Sequence, residues 1–309
     1  MKDLIILGNG MAGMTAALYA KRANLDFKIV GRGEYEFGQI ENAILVENFP
    51  CIESQKGIDL AIKLHDQLES TGVEFEEHEI ITVDFKDSNR KDFAVTYADG
   101  SIDEAKAVIY ALGASHKKLN CKIDKEIPVH YCALCDGNFY KDKVVAIIGG
   151  GDVAFTQAEY LSKICRLVYI VMCDENVTAS PATFERVDKI DNIGIIYNYP
   201  ISEIVRYENG KYGLYKENSG LSIYSNANVQ ADGIFVAIGM QPNTSPIKIP
   251  YVLNHLGYIN ANENGVTIID GFFAIGDVRH KQVRQAITAA ADGANVIQSV
   301  IQYLKESQE

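Results

Sequence analysis

Apolar and polar positions along this chain follow two rhythms that trade places repeatedly. Short, mainly apolar runs at 3–7, 27–30, 144–148 and 233–239 have the length of strands. Stretches at 14–22, 58–70, 155–164 and 282–303 carry the helical repeat. In 58–70 Leu60, Ile62, Leu64 and Leu68 supply the apolar side and Gly72 ends the helix; in 282–303 Ala286, Ile287, Ala290 and Ala291 form a small-residue face. Between them, 73–75, 80–85, 93–97, 101–103, 107–112, 166–171, 195–197, 201–207, 212–216, 221–224 and 272–277 read as further strands, with a hairpin turn at Ala98-Asp99-Gly100 and a helix over 181–190. Apolar strands alternating with helices predict an α/β protein.

Two junctions between strand and helix repeat one pattern. The first strand runs into Gly8-Asn9-Gly10-Met11-Ala12-Gly13 and a helix; the run at 144–148 leads into Gly149-Gly150-Gly151-Asp152-Val153-Ala154 and another. The first glycine of such a turn permits the tight bend, the second lets a pyrophosphate approach the backbone, and the third lets helix pack close on strand. Phosphate would then sit at the helix N-terminus, where free N–H groups and the helix dipole favour anions. In a strand–turn–helix context the first turn is a strong dinucleotide signal, and its recurrence predicts two Rossmann-like domains. Dinucleotide folds commonly place an acid after the second strand for the ribose hydroxyls; here the candidate is Glu34, which comes late. The composition turns polar and lysine-rich after Ala114, and Gln241-Pro242-Asn243 breaks the run at 233–239. Together with a closing Gly276-Asp277 turn and helix, this predicts a discontinuous first domain, 1–114 with 245–309, into which 115–244 is inserted.

Charge and cysteine content narrow the chemistry. With 309 residues and a net charge of −12, the chain is an unsuitable partner for nucleic acid. No apolar run has the ~20 residues needed to cross a bilayer, and the N-terminus reads as a strand and not as a signal peptide, which predicts a cytoplasmic protein. Lys117, Lys118, Lys122, Lys125, Lys141 and Lys143 gather in sequence around residues 130–140, either as a solvated loop or as a patch for an acidic partner. The six cysteines are not a structural disulfide framework in such a protein, and no second ligand pair suggests a metal; Cys165 and Cys173 read as core.

Within the lysine-rich stretch lies Cys132-Ala133-Leu134-Cys135-Asp136-Gly137. Two cysteines at this spacing can close a small reducible ring, and Asp136 is placed to hand a proton to a leaving thiolate. His130, just upstream, is either a plain loop histidine or a group that stabilises a thiolate when it is charged. His280 follows Gly276-Asp277 without an assignable role.

The full series is Gly8, Gly10 and Gly13; Gly38-Gln39; Glu47-Asn48-Phe49-Pro50; Cys132-x-x-Cys135-Asp136-Gly137; Gly149, Gly151 and Ala154; the run 235–239 with Pro242-Asn243; Gly276-Asp277; and Arg284-Gln285-Ala286. In this order and over nearly the whole chain it resembles the low-molecular-weight thioredoxin reductases. The resemblance implies a homodimer whose discontinuous domain binds FAD. Gly8, Gly10, Ala12 and Gly13 would hold the pyrophosphate, and Gln39, Asn48, Gly113, Gly276, Asp277, Arg284, Gln285 and Ala286 would contact the rest of the cofactor. Cys135 would be the thiol facing the flavin, Cys132 the one that attacks thioredoxin, and Asp136 the acid–base group. The flavin would carry two electrons to this disulfide, and thiol exchange would pass them on.

One segment departs from that family. Its members carry a histidine–arginine–arginine run and a further arginine after the strand that follows the second glycine turn, to hold the 2′-phosphate of NADPH. Here the segment reads Met172-Cys173-Asp174-Glu175-Asn176-Val177-Thr178-Ala179-Ser180, with no Lys or Arg, and the second helix has Thr156-Gln157 where the family has acids. A phosphate dianion beside Asp174 and Glu175 would be repelled and would lack a bidentate partner. The reading placed first is a thioredoxin reductase of the ferredoxin-dependent flavin branch, with reduced ferredoxin as donor. NADH, with Asp174 on its ribose, is the second reading, and a flavin-dependent dithiol oxidase passing electrons to oxygen the third. A non-enzymatic flavin-binding sensor is disfavoured by the intact Cys132, Cys135 and Asp136.

Overall fold

The computed structural model describes residues 1–33, 35–43, 46, 48–124, 126–216 and 229–307. The expected strand at 221–224, Glu34, Glu47 and Lys125 lie outside the described residues. The chain forms two compact units, Met1–Ser115 with Gln241–Glu309, and His116–Met240.

The first unit is built on β1 (Lys2–Leu7), in which Leu4, Ile5, Ile6 and Leu7 are fully buried. A strand covered on both faces has no reason to alternate, which is why it reads as an unbroken apolar run. It feeds α1 (Met11–Arg22), and β2 (Phe27–Gly31) returns parallel to β1. After α2 (Gly57–Glu69) come β3 (Phe75–Glu77), β4 (Ile80–Phe85) and β5 (Phe93–Tyr97). The strands expected at 101–103 and 107–112 are one continuous β6 (Ile102–Tyr110). Its middle reads as a polar break because Glu104 and Lys106 point to the half-exposed face, where they pair with Lys86 and Asp3, while Ala105 between them is buried.

The second unit follows the passage from β7 (Ala114–His116) through β8 (Lys122–Ile123) and β9 (Val129–His130) to the one-turn α3 (Ala133–Asp136). Then β10 (Val144–Ile148), α4 (Asp152–Ser162), β11 (Leu167–Val171), α5 (Pro181–Val187) and β12 (Ile193–Ile196) repeat the strand–turn–helix plan. Next come β13 (Ile201–Arg206), β14 (Tyr212–Lys216), β15 (Val229–Ala231), β16 (Gly233–Val236) and β17 (Met240–Pro242). One sheet, all parallel, has the order β12-β11-β10-β16-β9; the other has the order β15-β14-β13-β8. The apolar run at 233–239 forms a strand only as far as Val236, and Gly239 beyond it has φ +102°. The short pieces β8, β9, α3, β15 and β17 were not anticipated, since two to four residues carry no readable period.

The chain then returns to the first unit for β18 (Phe272–Ala274) and α6 (Ala286–Glu306). The sheet there has the order β3-β2-β1-β6-β5-β4, with β18 parallel to the far half of β6 through Val108, Ile109 and Tyr110. The helix begins four residues later than the expected 282. Its buried face is Ala289, Asp292, Gly293, Val296, Ile297, Val300 and Leu304 and not the small-residue face read from the sequence. Gly293 decides this: a Cβ there would lie 2.4 Å from the Ala12 carbonyl oxygen, so α6 approaches α1 along this line. Cys165 is buried as expected, but Cys173 is exposed.

Candidate functional site

In the first unit the glycine turn joins β1 to α1. Gly8 has φ +110°, and a Cβ on it would lie 2.5 Å from the Ala111 carbonyl oxygen; one on Gly13 would lie 1.8 Å from the Gly8 oxygen. Gly10 precedes the helix in extended backbone, and the first turn of α1 holds no acid, which leaves its N–H groups facing an anion without a competing charge. Asn9, buried, donates through Nδ2 to the Gly33 carbonyl (2.7 Å) and ties the turn to the loop after β2. Ala12, beneath the turn, is where both Gly276 and Gly293 come close: a Cβ on Gly276 would lie 3.0 Å from that of Ala12.

Residues far apart in sequence converge in this unit. Asn48 Nδ2 donates to Gln285 Oε1 (3.0 Å), across 237 positions. Gln39 is exposed on the short turn Gly38–Asn42. Gly113 (φ +66°) accepts at its carbonyl from Asn243 N–H (3.0 Å). Ala286 opens α6, and the Gln285 N–H before it donates to Thr288 Oγ1 (3.2 Å). Gly276 (φ +72°) donates its N–H to Asp292 Oδ2 (2.9 Å). That carboxylate also takes Arg279 Nε (3.0 Å), Arg279 Nη2 (2.8 Å) and Lys281 Nζ (3.0 Å). Burial alone would raise the Asp292 carboxyl, but Arg279 and Lys281 outweigh it and hold the group below the usual carboxylate range.

Two buried polar atoms on the segment between β18 and α6 are left over. Asp277 Oδ1 is buried and makes no hydrogen bond, with Lys281 Nζ 3.9 Å away, and burial pushes its carboxyl up. Arg284 Nε is buried without a partner while its guanidinium lies 4.6 Å from the centre of the Tyr258 ring. Buried polar atoms are rarely left unpaired in a finished protein. An acceptor and a donor beside a glycine cradle fit a cofactor that brings hydroxyls and phosphates.

In the second unit Cys132 and Cys135 are joined as a disulfide, Cα–Cα 5.3 Å, with Cys132 capping α3. Cys135 N–H donates to Cys132 Sγ (3.2 Å). Asp136 is buried at the end of α3, with Oδ2 3.0 Å from His130 Nδ1 and with Oδ1 unpaired. His130 is not a plain loop residue: it ends β9, is buried against Phe235, and places Nε2 2.7 Å from the Tyr140 hydroxyl. Burial pushes the Tyr140 phenol up to about 12.

Beside the second glycine turn, Thr178 and Ala179 N–H both donate to the Gly150 carbonyl (2.9 and 3.1 Å). The Asp152 carboxylate, first residue of α4, takes Ser180 N–H and Oγ–H, both at 2.9 Å. The loop after β11 thus rests on the turn, and it brings Cys173, Asp174 and Glu175 there. Arg186, the nearest cation along the chain beyond it, is bound by Glu159 (2.9 Å).

Sequence reading missed Asn9, Asp292, Arg279, Lys281 and Tyr140. For Asp292 a signal existed, an acid in line with Ala289, Val296 and Val300 on the buried side of a helix. No metal was expected. Among the described residues one grouping, His65 with Asp66 and Glu69, has ligand atoms within 4.8 Å of one another, two of its members being exposed. Among the described residues no helix is long and apolar enough to cross a membrane.

The model of the pyridine nucleotide-disulphide oxidoreductases matches residues 2–293. The chain belongs to this family. It is 36% identical to a thioredoxin reductase of Bacillus subtilis over 313 residues, covering 99% of this chain and 96% of that one. It is also 36% identical, over 294 residues, to a Clostridium pasteurianum protein described as a 34.2 kDa protein in a rubredoxin operon, covering 94% and 93%. The structure of thioredoxin reductase from Streptococcus pyogenes superposes with a TM-score of 0.86 at 32% identity, with 99% of each chain covered. The protein is therefore an oxidoreductase acting on a disulfide. Membership of the pyridine nucleotide-disulphide oxidoreductases implies FAD, and the cradle at Gly8–Gly13 with the unpaired Asp277 Oδ1 and Arg284 Nε fits it.

Proposed function

We propose that this chain is a thioredoxin reductase, working as a homodimer, whose FAD is reduced by ferredoxin and not by NADPH. The first unit's turns hold the cofactor: Gly8, Gly10, Ala12 and Gly13 at the pyrophosphate, and Gln39, Asn48, Gly113, Gly276, Asp277, Arg284, Gln285 and Ala286 at the remainder. Bound there, FAD supplies two electrons to the Cys132–Cys135 disulfide. Opening that bond yields two thiols. The Cys132 thiolate attacks one sulfur of the thioredoxin disulfide, and the other sulfur leaves as a thiolate that takes a proton. Cys135 then attacks the mixed disulfide, restores the Cys132–Cys135 bond and releases reduced thioredoxin. Asp136 is the group that gives and takes the proton, and its unpaired Oδ1 is free for it.

The observation that carries the choice of donor is the β11 loop. Where an NADPH enzyme needs cations, this chain sets Cys173, Asp174 and Glu175, and Asp174 Oδ1 is fixed by the Asn176 N–H (2.8 Å). Charge-assisted bonds to a phosphate are the strong ones, and none is on offer here. The rubredoxin operon of the Clostridium pasteurianum relative supports an iron-protein donor as well. NADH remains the second reading because Asp174 lies in the loop three residues after β11, near where an acid would meet ribose hydroxyls.

Anaerobic flavin bleaching with NADPH, NADH and reduced ferredoxin in parallel tests this. Bleaching by ferredoxin alone, followed by reoxidation with thioredoxin, is expected. Fast bleaching by NADPH overturns it, and rapid oxygen uptake with a dithiol would instead mark an oxidase.

A further inference from the structure

Asp136 belongs to a buried line of three groups. Its Oδ2 meets His130 Nδ1 at 3.0 Å, and His130 Nε2 meets the Tyr140 hydroxyl at 2.7 Å. All three residues are less than a tenth exposed. The three come from separate elements, β9, α3 and the turn after α3. Their meeting is enforced by packing: a Cβ on Gly233 would lie 2.3 Å from Tyr140 Cε1, so only glycine lets the ring occupy that place. Phe235 closes the other side, with its ring 5.2 Å from His130 and 5.6 Å from Tyr140.

A hydroxyl can donate or accept. With His130 neutral, Nδ1–H donates to Asp136 and Tyr140 donates to Nε2. With His130 protonated, both ring nitrogens donate and the Tyr140 oxygen accepts. The imidazole can thus hold either charge state without losing a hydrogen bond, which a buried ring rarely manages. A carboxylic acid next to a partner of this kind can release its proton from one oxygen and be compensated at the other.

We infer that His130 and Tyr140 are positioning residues for Asp136: they fix its carboxyl beside the Cys132–Cys135 pair and let the His130 ring balance the proton that Asp136 gives to, or takes from, the departing thiolate. This rests on the role proposed above for Asp136. In the step, one S–S bond breaks and one forms by exchange. The step starts from the imidazolium: the Asp136 proton goes to the leaving thiolate sulfur, the Nδ1 proton of His130 shifts onto Asp136 Oδ2, and the ring is left as the neutral Nε2–H tautomer donating to the Tyr140 oxygen. Other titratable groups around the line are Tyr212 and Asp232, which act on Tyr140, and Lys143, whose Nζ lies 5.7 Å from the Tyr140 ring centre.

The test uses the flavin-loaded chain, reduced with dithiothreitol, and two readouts across pH 5.5 to 9: the rate of exchange with a small aromatic disulfide, and the alkylation rate of the two thiols by iodoacetamide. His130→Gln keeps a polar side chain that cannot be charged, and Tyr140→Phe keeps the ring and removes the hydroxyl. At pH 7 His130→Gln is expected to slow exchange about 10-fold through kcat with KM unchanged, within the range by which acid–base groups act, and to flatten the bend in the alkylation profile. Tyr140→Phe should do the same about 3-fold less strongly, and it tests the line if His130→Gln fails to fold. Both profiles unchanged within 2-fold, while Asp136→Asn still loses exchange, would overturn this inference and leave the role of Asp136 standing. Exchange unaffected in Asp136→Asn as well would sink the role of Asp136 and the inference with it.

Discussion

Cys173 Sγ lies 3.5 Å from Asp174 Oδ2, and the pair stands at the exposed end of β11, next to the second glycine turn. Partial burial and the neighbouring carboxylate both push the Cys173 thiol up, so it stays neutral beside an anion. The expectation that Cys173 is a core residue fails here because the strand ends two residues earlier, at Val171. The result is a Rossmann-like unit whose edge after β11 offers a thiol and carboxylates.

That edge is open to redesign. Cys173→Arg together with Asp174→Arg should raise the second-order rate of flavin bleaching by NADPH at least about 10-fold, since one charge-assisted bond is worth about 1.5–3 kcal/mol and each 1.4 kcal/mol is a factor of ten. Bleaching by ferredoxin should be unchanged. An equal gain with NADH would show that relief of repulsion, and not recognition of the 2′-phosphate, is responsible.

The Cys132 and Cys135 thiols, once the disulfide is opened, should be spectroscopically distinct. If Cys135 faces the flavin, Cys132→Ser should show a long-wavelength absorbance tail from a thiolate beside oxidised flavin, and Cys135→Ser should lack it. Both variants should lose thioredoxin reduction entirely. A tail in Cys135→Ser alone would reverse the assignment of the thiols.

Asp292 should be a stability hub for the first unit. It is buried, and Asp292→Ala leaves Arg279 and Lys281 as buried cations without their carboxylate, which typically costs about 3–5 kcal/mol. Because its folded carboxyl is held below the ordinary range, its contribution is complete above the unfolded value of about 3.9 and is lost as pH falls through the folded value. Urea midpoints measured from pH 7 down to 3 should therefore fall at the acid end for the wild type, and more shallowly for Asp292→Ala.

Asp277 should behave in the opposite way. Its carboxyl is raised by burial, so the cofactor-free chain favours the protonated form and loses stability as pH rises through the unfolded value of about 3.9 and up to the folded one. Asp277→Asn should raise the melting temperature of the cofactor-free protein at pH 7 by about 2 °C while weakening FAD retention. Differential scanning fluorimetry and flavin absorbance after gel filtration read both. A variant with lower melting temperature and full FAD retention would show that Asp277 is structural.

Gly13→Ala should abolish the holoenzyme. The added carbon would lie 1.8 Å from the Gly8 carbonyl oxygen, and neither backbone can retreat without parting α1 from β1. Soluble yield and bound flavin should both collapse.

The two units together show how far a linear reading reaches. Gly8, Gly10, Gly13 and Cys132, Cys135, Asp136 were visible because each set is contiguous and each residue type has one dominant physical reason to be there. Asn48 and Gln285 were named through the family resemblance alone, and only folding makes their hydrogen bond across 237 positions a fact. Tyr140 was invisible, since one tyrosine among many carries no signal until Gly233 opens a place for its ring.

The sequence by itself determined the alternation of strands and helices, the two glycine turns, the close spacing of Cys132 and Cys135 and the lack of cations after β11, because all of these are properties of neighbours along the chain. Only the tertiary structure decided that 101–112 is a single strand, that α6 buries Gly293 and Asp292, that Asp277 and Arg284 keep unpaired buried atoms, and that His130 joins Asp136 to Tyr140. Each of those depends on which side chains are brought against one another when β-strands stack in parallel and helices close over them, and no local pattern records a contact of that kind.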